Sequence, residues 1–289
     1  MEKNLDVPAT TEGAITPHLF VMKKYSFTRQ ASDLNHYAKN IYSQNGEDGI
    51  LSYIFDIIKP KTKYAVEFGA WDGQHLSNVF NLVKNFDWQA LMIEANVKKY
   101  SSLQATAKEL QGRICPVQGF VRLEGSETLD YYLEEYRAPK DPDILSIDVD
   151  GIDWFIWESL KNYRPRVVVI EFNPSIPSDI LFVQAKNELI NEGASAAALV
   201  HLGNEKGYSL VAVTNCNCIF LNNEEAPLLN IQNNSLDALW NSAQGRIFHG
   251  YNGKIYTAMM PRLIWHKIPI APDALQILDK FEYGDAPPR

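Results

Sequence analysis

The sequence predicts an α/β fold in which a mainly parallel sheet is covered by helices on both faces. Two observations carry this reading. Short runs rich in Val, Ile and Leu alternate with segments of helical period between Tyr64 and Phe172. Those runs are apolar throughout, as strands buried on both faces are, and several end in an acid. A third observation closes the sheet. Residues 209–214 and 218–221 have a short connection that suits a hairpin, which predicts one antiparallel edge strand.

The elements follow in order. Residues 1–40 are weakly patterned and broken by Pro8, Gly13 and Pro17, so they read as a tail or arm. A helix then opens, with Ser43 or Asn45 as cap and Glu47 and Asp48 at its positive end. Ile50, Leu51, Ile54, Phe55, Ile57 and Ile58 recur at helical spacing, and Lys59-Pro60-Lys61 stops the run. Strands are predicted at 64–68, 89–94, 113–120, 144–149 and 167–172. Helices are predicted between them at 76–85, 97–110, 128–136 and 153–161, with another inside 182–205 interrupted near Gly193. Residues 41–222 thus form the main domain, and 223–289, irregular and carrying Trp240 and Trp265, form an appended arm or lid.

Composition bounds the function. The 289 residues hold 27 Lys+Arg against 35 Asp+Glu, a formal net charge of −8, which argues against a general nucleic-acid binder. No apolar run approaches the ~20 residues of a membrane span. Residues 1–12 lack the apolar core of a secretion signal, so a cytoplasmic location is expected. Cys115, Cys216 and Cys218 do not make a disulfide framework. The latter two read as core residues of one strand, facing the same side.

The first chemical signal is the strand-turn-helix Val66-Glu67-Phe68-Gly69-Ala70-Trp71-Asp72-Gly73. Its glycines are spaced G-x-x-x-G and not G-x-G-x-x-G, so a dinucleotide diphosphate has no evident cradle. Glu67 would repel phosphate and attract an ammonium group. Glu94, at the end of the second strand, can accept ribose hydroxyls. Together these describe S-adenosylmethionine better than NAD, with Glu67, Gly69, Gly73 and Glu94 lining the donor site. Gln118, ending the third strand, is a further candidate.

The second signal is acidic. Asp148 and Asp150 end the fourth strand and Glu171 and Asn173 the fifth. Crowded acids need a cation or a shared proton. Asp148, Glu171 and Asn173 are candidate ligands for Mg2+ or Mn2+. The alternative is that Asp148 or Asp150 caps a helix while Glu171 pairs with Arg164 or Arg166. Candidate bases for an acceptor hydroxyl are Asp148, Asp150, His75 and His266.

In these motifs the chain resembles the FkbM-like family of S-adenosylmethionine-dependent methyltransferases. The matching residues are the Ser43-Gln44-Asn45-Gly46-Glu47-Asp48-Gly49 opening, the Val66–Gly73 turn, Ile147 to Gly151, Arg164 to Asn173, Gly193 to Leu202, Gly207-Tyr208 and Trp265-His266. Trp71 departs from the commoner Gly-Ala-Asn turn. The resemblance implies a Rossmann-like methyltransferase fold with a seven-stranded sheet, S-adenosylmethionine as donor, and O-methylation of a small molecule or sugar. It adds Gln44 as a donor contact. The acid cluster is similar to that of catechol O-methyltransferase. Carboxyl methylation, an NAD oxidoreductase and a non-catalytic binding module are the competing readings, and homo-oligomerisation is left open.

Overall fold

The structure is a computed structural model, and it describes residues 34–240, 246–249, 251, 255–258 and 275–278. The main compact unit is Arg29–Gln244. It opens with a 3-10 turn, Leu34–Tyr37, and helix α1, Glu47–Ile58. Then come β1 Tyr64–Phe68, α2 Phe80–Phe86, β2 Gln89–Glu94, α3 Val97–Glu109 and β3 Ile114–Gln118. The second half holds α4 Leu129–Glu135, β4 Ile144–Ile147, α5 Asp153–Ser159, β5 Val167–Glu171, α6 Ala196–Glu205, β6 Tyr208–Val213 and β7 Asn217–Asn222.

These strands form one sheet in the order β3-β2-β1-β4-β5-β7-β6. Strands β1 to β5 pair in parallel, and β7 runs antiparallel to both of its neighbours. The antiparallel strand is therefore not at the edge, as its place in the sequence suggests. It is inserted between β5 and β6, and β6 forms the edge. Strand alternation sends Val66 and Phe68 of β1 to one face, packed with α4, α5 and α6. Ala65 faces the other way, among the buried residues of α1, α2 and α3. Chain order reverses between β1 and β4, which places a crevice beyond the carboxyl ends of those strands.

The unit reaches past the expected limits of 41 and 222. Leu34 is buried, as are Leu229 and Leu239 after β7, and Trp240 meets Phe172 edge-on at 5.3 Å between centroids. Arg166, 2% exposed, bonds Asp143 and Glu225, so residue 225 is tied to the start of β5. Helix α7, Leu236–Leu239, follows. The strands β8 Arg246–His249, β9 Ile255–Ala258 and β10 Leu275–Leu278 form a separate sheet in the order β10-β9-β8.

Two predicted helices are shorter than their apolar spacing implies, and turn chemistry explains both. Asp72 accepts the N–H groups of Gln74 and His75, and Leu76 has φ +59, so α2 starts only at Phe80. Between β5 and α6 the buried amide of Gln184 accepts from the Glu192 and Gly193 N–H groups and donates to the Asn187 and Ile190 carbonyls. That bonding closes a loop where helix was expected. Among the cysteines, Cys218 lies in β7 but Cys216 lies in the turn before it, so the two are not alternate members of one strand. Both are buried.

Candidate functional site

The β1 turn sits at the switch point and is held from below. Glu67 is buried, accepts from the Ser77 hydroxyl at 2.6 Å and from the Asn78 N–H at 2.9 Å, and so fastens the turn to β1. Burial pushes its pKa up to about 7 against those bonds. Both oxygens thus hold the turn to β1, a bracing role beside the ammonium contact expected of this acid. Gly69 has φ +77, and a Cβ there would collide with the Asp148 carbonyl of the neighbouring strand end. Gly73, also at φ +77, lies against Leu103 and Met92. These glycines are required by packing between protein segments.

Glu94 is buried at the end of β2. One oxygen accepts from the Trp71 N–H at 2.8 Å and the other from the Asn96 N–H at 2.6 Å. Each carboxylate oxygen offers two acceptor sites, so one on each remains for a pair of hydroxyls. Gln118 stands opposite Glu94 in the β2–β3 ladder and is exposed. Trp71 is 45% exposed with φ +49, and the Lys99 ammonium lies 4.1 Å from its ring centroid. His75 is exposed and meets the Trp71 ring edge-on at 5.2 Å. Lys99 has no signature in the sequence that would have marked it.

The opening motif acts mainly as a brace. Asp48 accepts from the N–H groups of Ile41, Tyr42 and Ser43 at 2.7–2.8 Å. Glu47 accepts from the Thr214 hydroxyl and the Asn217 amide, tying α1 to the β6–β7 turn. Both acids stand in the first turn of α1, as expected, and make these bonds beyond the helix as well. Ser43 does bond the Asp48 N–H, at 3.1 Å. Gln44 and Asn45 donate to the Cys216 sulfur at 3.4 and 3.1 Å. The Cys216 carbonyl accepts from the Phe172 N–H just beyond Glu171, so Gln44 lies on the β5–β7 side of the crevice.

The acids converge as the strand ends suggested, with one change of membership. Ligand oxygens of Asp148, Asp150 and Glu171 all lie within 4.8 Å of one another. Asn173 is engaged elsewhere. Its oxygen accepts from the Ser175 N–H and hydroxyl, and its amide donates to the Glu192 carbonyl. It therefore turns the loop after β5, and Asp150 replaces it in the cluster. Asp150 gets there through φ +61 after the strand has ended at Ile147, not by strand alternation. Asp153 clamps this loop by accepting from the Val149 and Gly151 N–H groups. Burial lifts Asp148 to about 7 and, with the Asp148 charge beside it, holds Glu171 well above the ordinary carboxylate range. Arg166 does not neutralise Glu171, because its partners are Asp143 and Glu225. His266 and Trp265 lie outside the described residues.

The sequence model of the methyltransferase FkbM domain matches residues 124–210. That stretch is similar to the methyltransferase FkbM domain. The segment runs from before α4 into β6 and includes Asp148, Asp150 and Glu171. The Gly69 turn and Glu94 lie before the FkbM match. The whole sheet has the Rossmann-like methyltransferase order, with β7 antiparallel between β5 and β6. Among solved structures, the chain is similar to a SAM-dependent methyltransferase from Aquifex aeolicus, at 9% identity over 61% of this chain and 88% of that one, with TM-score 0.37. It is similar to precorrin-6y C5,15-methyltransferase from Geobacter metallireducens, at 12% identity over 63% and 90%, with TM-score 0.37. A third is PKMT2 from Rickettsia typhi in complex with AdoHcy, at 14% identity over 47% and 26%, with TM-score 0.34. No curated protein matches the sequence significantly.

Proposed function

We propose that the chain is an S-adenosylmethionine-dependent O-methyltransferase acting on a hydroxyl of a small molecule or sugar. The observation that carries this is the meeting of Asp148, Asp150 and Glu171 at the switch-point crevice, beside the Gly69 turn and Glu94. The free acceptor sites of Glu94 suit the ribose diol of the donor, and the acid cluster suits its positive charge. Methyl transfer is an in-line displacement, in which the protein mainly aligns donor and acceptor and excludes water. The acceptor hydroxyl must lose its proton, and the acids are the groups at hand to receive it.

The same three carboxylates form an oxygen-only ligand set that fits a hard divalent cation such as Mg2+ or Mn2+. Such an ion would supply acidification of a bound hydroxyl. Asp148, Asp150 and Glu171 would hold it, in place of the set that included Asn173.

The test has two readings. S-adenosylhomocysteine titration of Glu94→Ala is expected to show at least about tenfold weaker binding, from the loss of its charge-assisted hydrogen bonds to the ribose. Turnover of Asp148→Asn is expected to fall about 10²–10⁴-fold, the usual worth of a positioned acid or base. Unchanged values in folded variants would remove the donor site and the acid cluster from the reaction. Activity that survives excess chelator assigns the proton to the carboxylates alone. Activity lost to chelator and restored by Mg2+ or Mn2+ assigns them as ligands.

A further inference from the structure

The amino edge of the sheet, opposite the acid cluster, carries a recess of about 440 Å3. Its walls come from the residues that lead into three parallel strands. Lys140 and Asp141 precede β4, Arg164 precedes β5, and Lys206 precedes β6. Lys161, just after α5, completes the rim. Four cations thus meet one acid on the lining, in a chain whose formal net charge is −8.

Those cations are incompletely matched. The Arg164 guanidinium is exposed and lies 5.8 Å from the Tyr208 ring centroid, with no carboxylate or carbonyl partner among the described residues. The Lys140 ammonium sits 4.0 Å from the Tyr163 ring centroid, again over a π face. Lys206 is half-buried and bonds two carbonyls at the end of α5, those of Glu158 and Leu160. The nearby acid Asp130 spends both oxygens on the Lys161 and Asn162 N–H groups. Trp157 also lines the recess. It is fully buried, and its indole N–H has no acceptor among the described residues.

We propose that this recess binds a phosphate-bearing small molecule at a site separate from the methyl-transfer crevice. Clustered cations repel one another unless an anion joins them, and the guanidinium fork suits phosphate oxygens. The volume exceeds that of a lone inorganic ion. Tyr163 and Tyr208 give it the apolar wall that the organic part of a phosphate ester needs.

Calorimetric titration of the full chain at low salt tests this, with inorganic pyrophosphate, glucose 6-phosphate and glucose as probes. Both phosphates are expected to bind saturably and glucose not at all. Arg164→Gln and Lys161→Gln, both at exposed positions, are each expected to weaken binding about tenfold, the loss of one charge-assisted hydrogen bond. Lys98→Gln, on the exposed side of α3, is expected to leave it unchanged, and thermal melts confirm that each variant is folded. Saturation with S-adenosylhomocysteine is expected to leave phosphate binding intact. Absence of saturable binding, equal binding by glucose, indifference to both recess variants, or competition by S-adenosylhomocysteine would each overturn the proposal.

Discussion

The carbonyl oxygen of Asp148 occupies the space in which Gly69 would carry a Cβ. This close approach joins the two halves of the candidate site, since Gly69 opens the β1 turn and Asp148 opens the acid cluster. Gly69 also needs its left-handed conformation, φ +77. Gly69→Ala is therefore expected to destabilise the fold by about 2–4 kcal/mol, from backbone strain plus overpacking. Chemical denaturation measures it. A variant with wild-type stability but no donor binding would show that the glycine is kept for the ligand and not for the strands.

The sequence made the sheet legible because buried parallel strands are continuous apolar runs, and β1 and β2 fall where those runs predict. It also marked the acids at the ends of β4 and β5, because charge at the end of an apolar run stands out. Their roles were less legible. Asn173 and Asp150 are both two residues from a cluster acid, and only the φ of Asp150 and the Ser175 bonds of Asn173 decide which one turns inward. Glu67 has a bracing role that was hidden for a related reason, since its partners, Ser77 and Asn78, stand 10 and 11 residues along the chain. The place of β7 inside the sheet was hidden too, since a hairpin can add either of its strands to β5.

Glu67 gives the fold a pH dependence of defined sign. Its pKa in the folded chain is about 7, raised by burial, so the folded state holds its proton more tightly than the unfolded state does. The contribution is full below the ordinary carboxylate range, declines as pH rises, and is gone above about 7. The loss amounts to at most about 3 kcal/mol. Glu67→Gln keeps one acceptor and cannot ionise. Denaturation from pH 4.5 to 8 is expected to show a flatter profile for the variant. Parallel profiles would mean that Glu67 titrates alike in both states.

Arg166 closes the amino edge of β5 from within. It bonds Asp143 and Glu225 and donates to the Ile58 and Lys59 carbonyls, while Asp143 also accepts from the Lys61, Thr62 and Lys63 N–H groups. Arg166→Met leaves Asp143 buried with its cation gone, which is expected to lower stability by about 3–5 kcal/mol. The bonds to Arg166, Lys61 and Asn222 hold Glu225 near 2, below its ordinary value. Its contribution is present above the unfolded pKa and lost as pH falls toward 2. Glu225→Gln is accordingly expected to destabilise at pH 7 and to matter little at pH 2. Equal effects at both values would show that the charge is not what residue 225 contributes.

The reach of the main unit decides where the chain can be cut. Ending it at Asn222 removes the buried Leu229 and Leu239, the Trp240 ring from Phe172, and Glu225 from Arg166. Such a chain is expected to unfold or aggregate, and its inactivity would say nothing about an acceptor lid. Ending it at Gln244 keeps the compact unit. If residues beyond 244 contribute to acceptor recognition, the shorter chain will bind S-adenosylhomocysteine as the full chain does and lose turnover, with circular dichroism unchanged. Turnover retained at Gln244 would free the arm of any part in the reaction. His266→Ala in the full chain then separates chemistry from packing. A base is expected to alter the pH profile of turnover at unchanged stability, whereas a packing residue lowers the melting temperature and leaves the profile's shape intact.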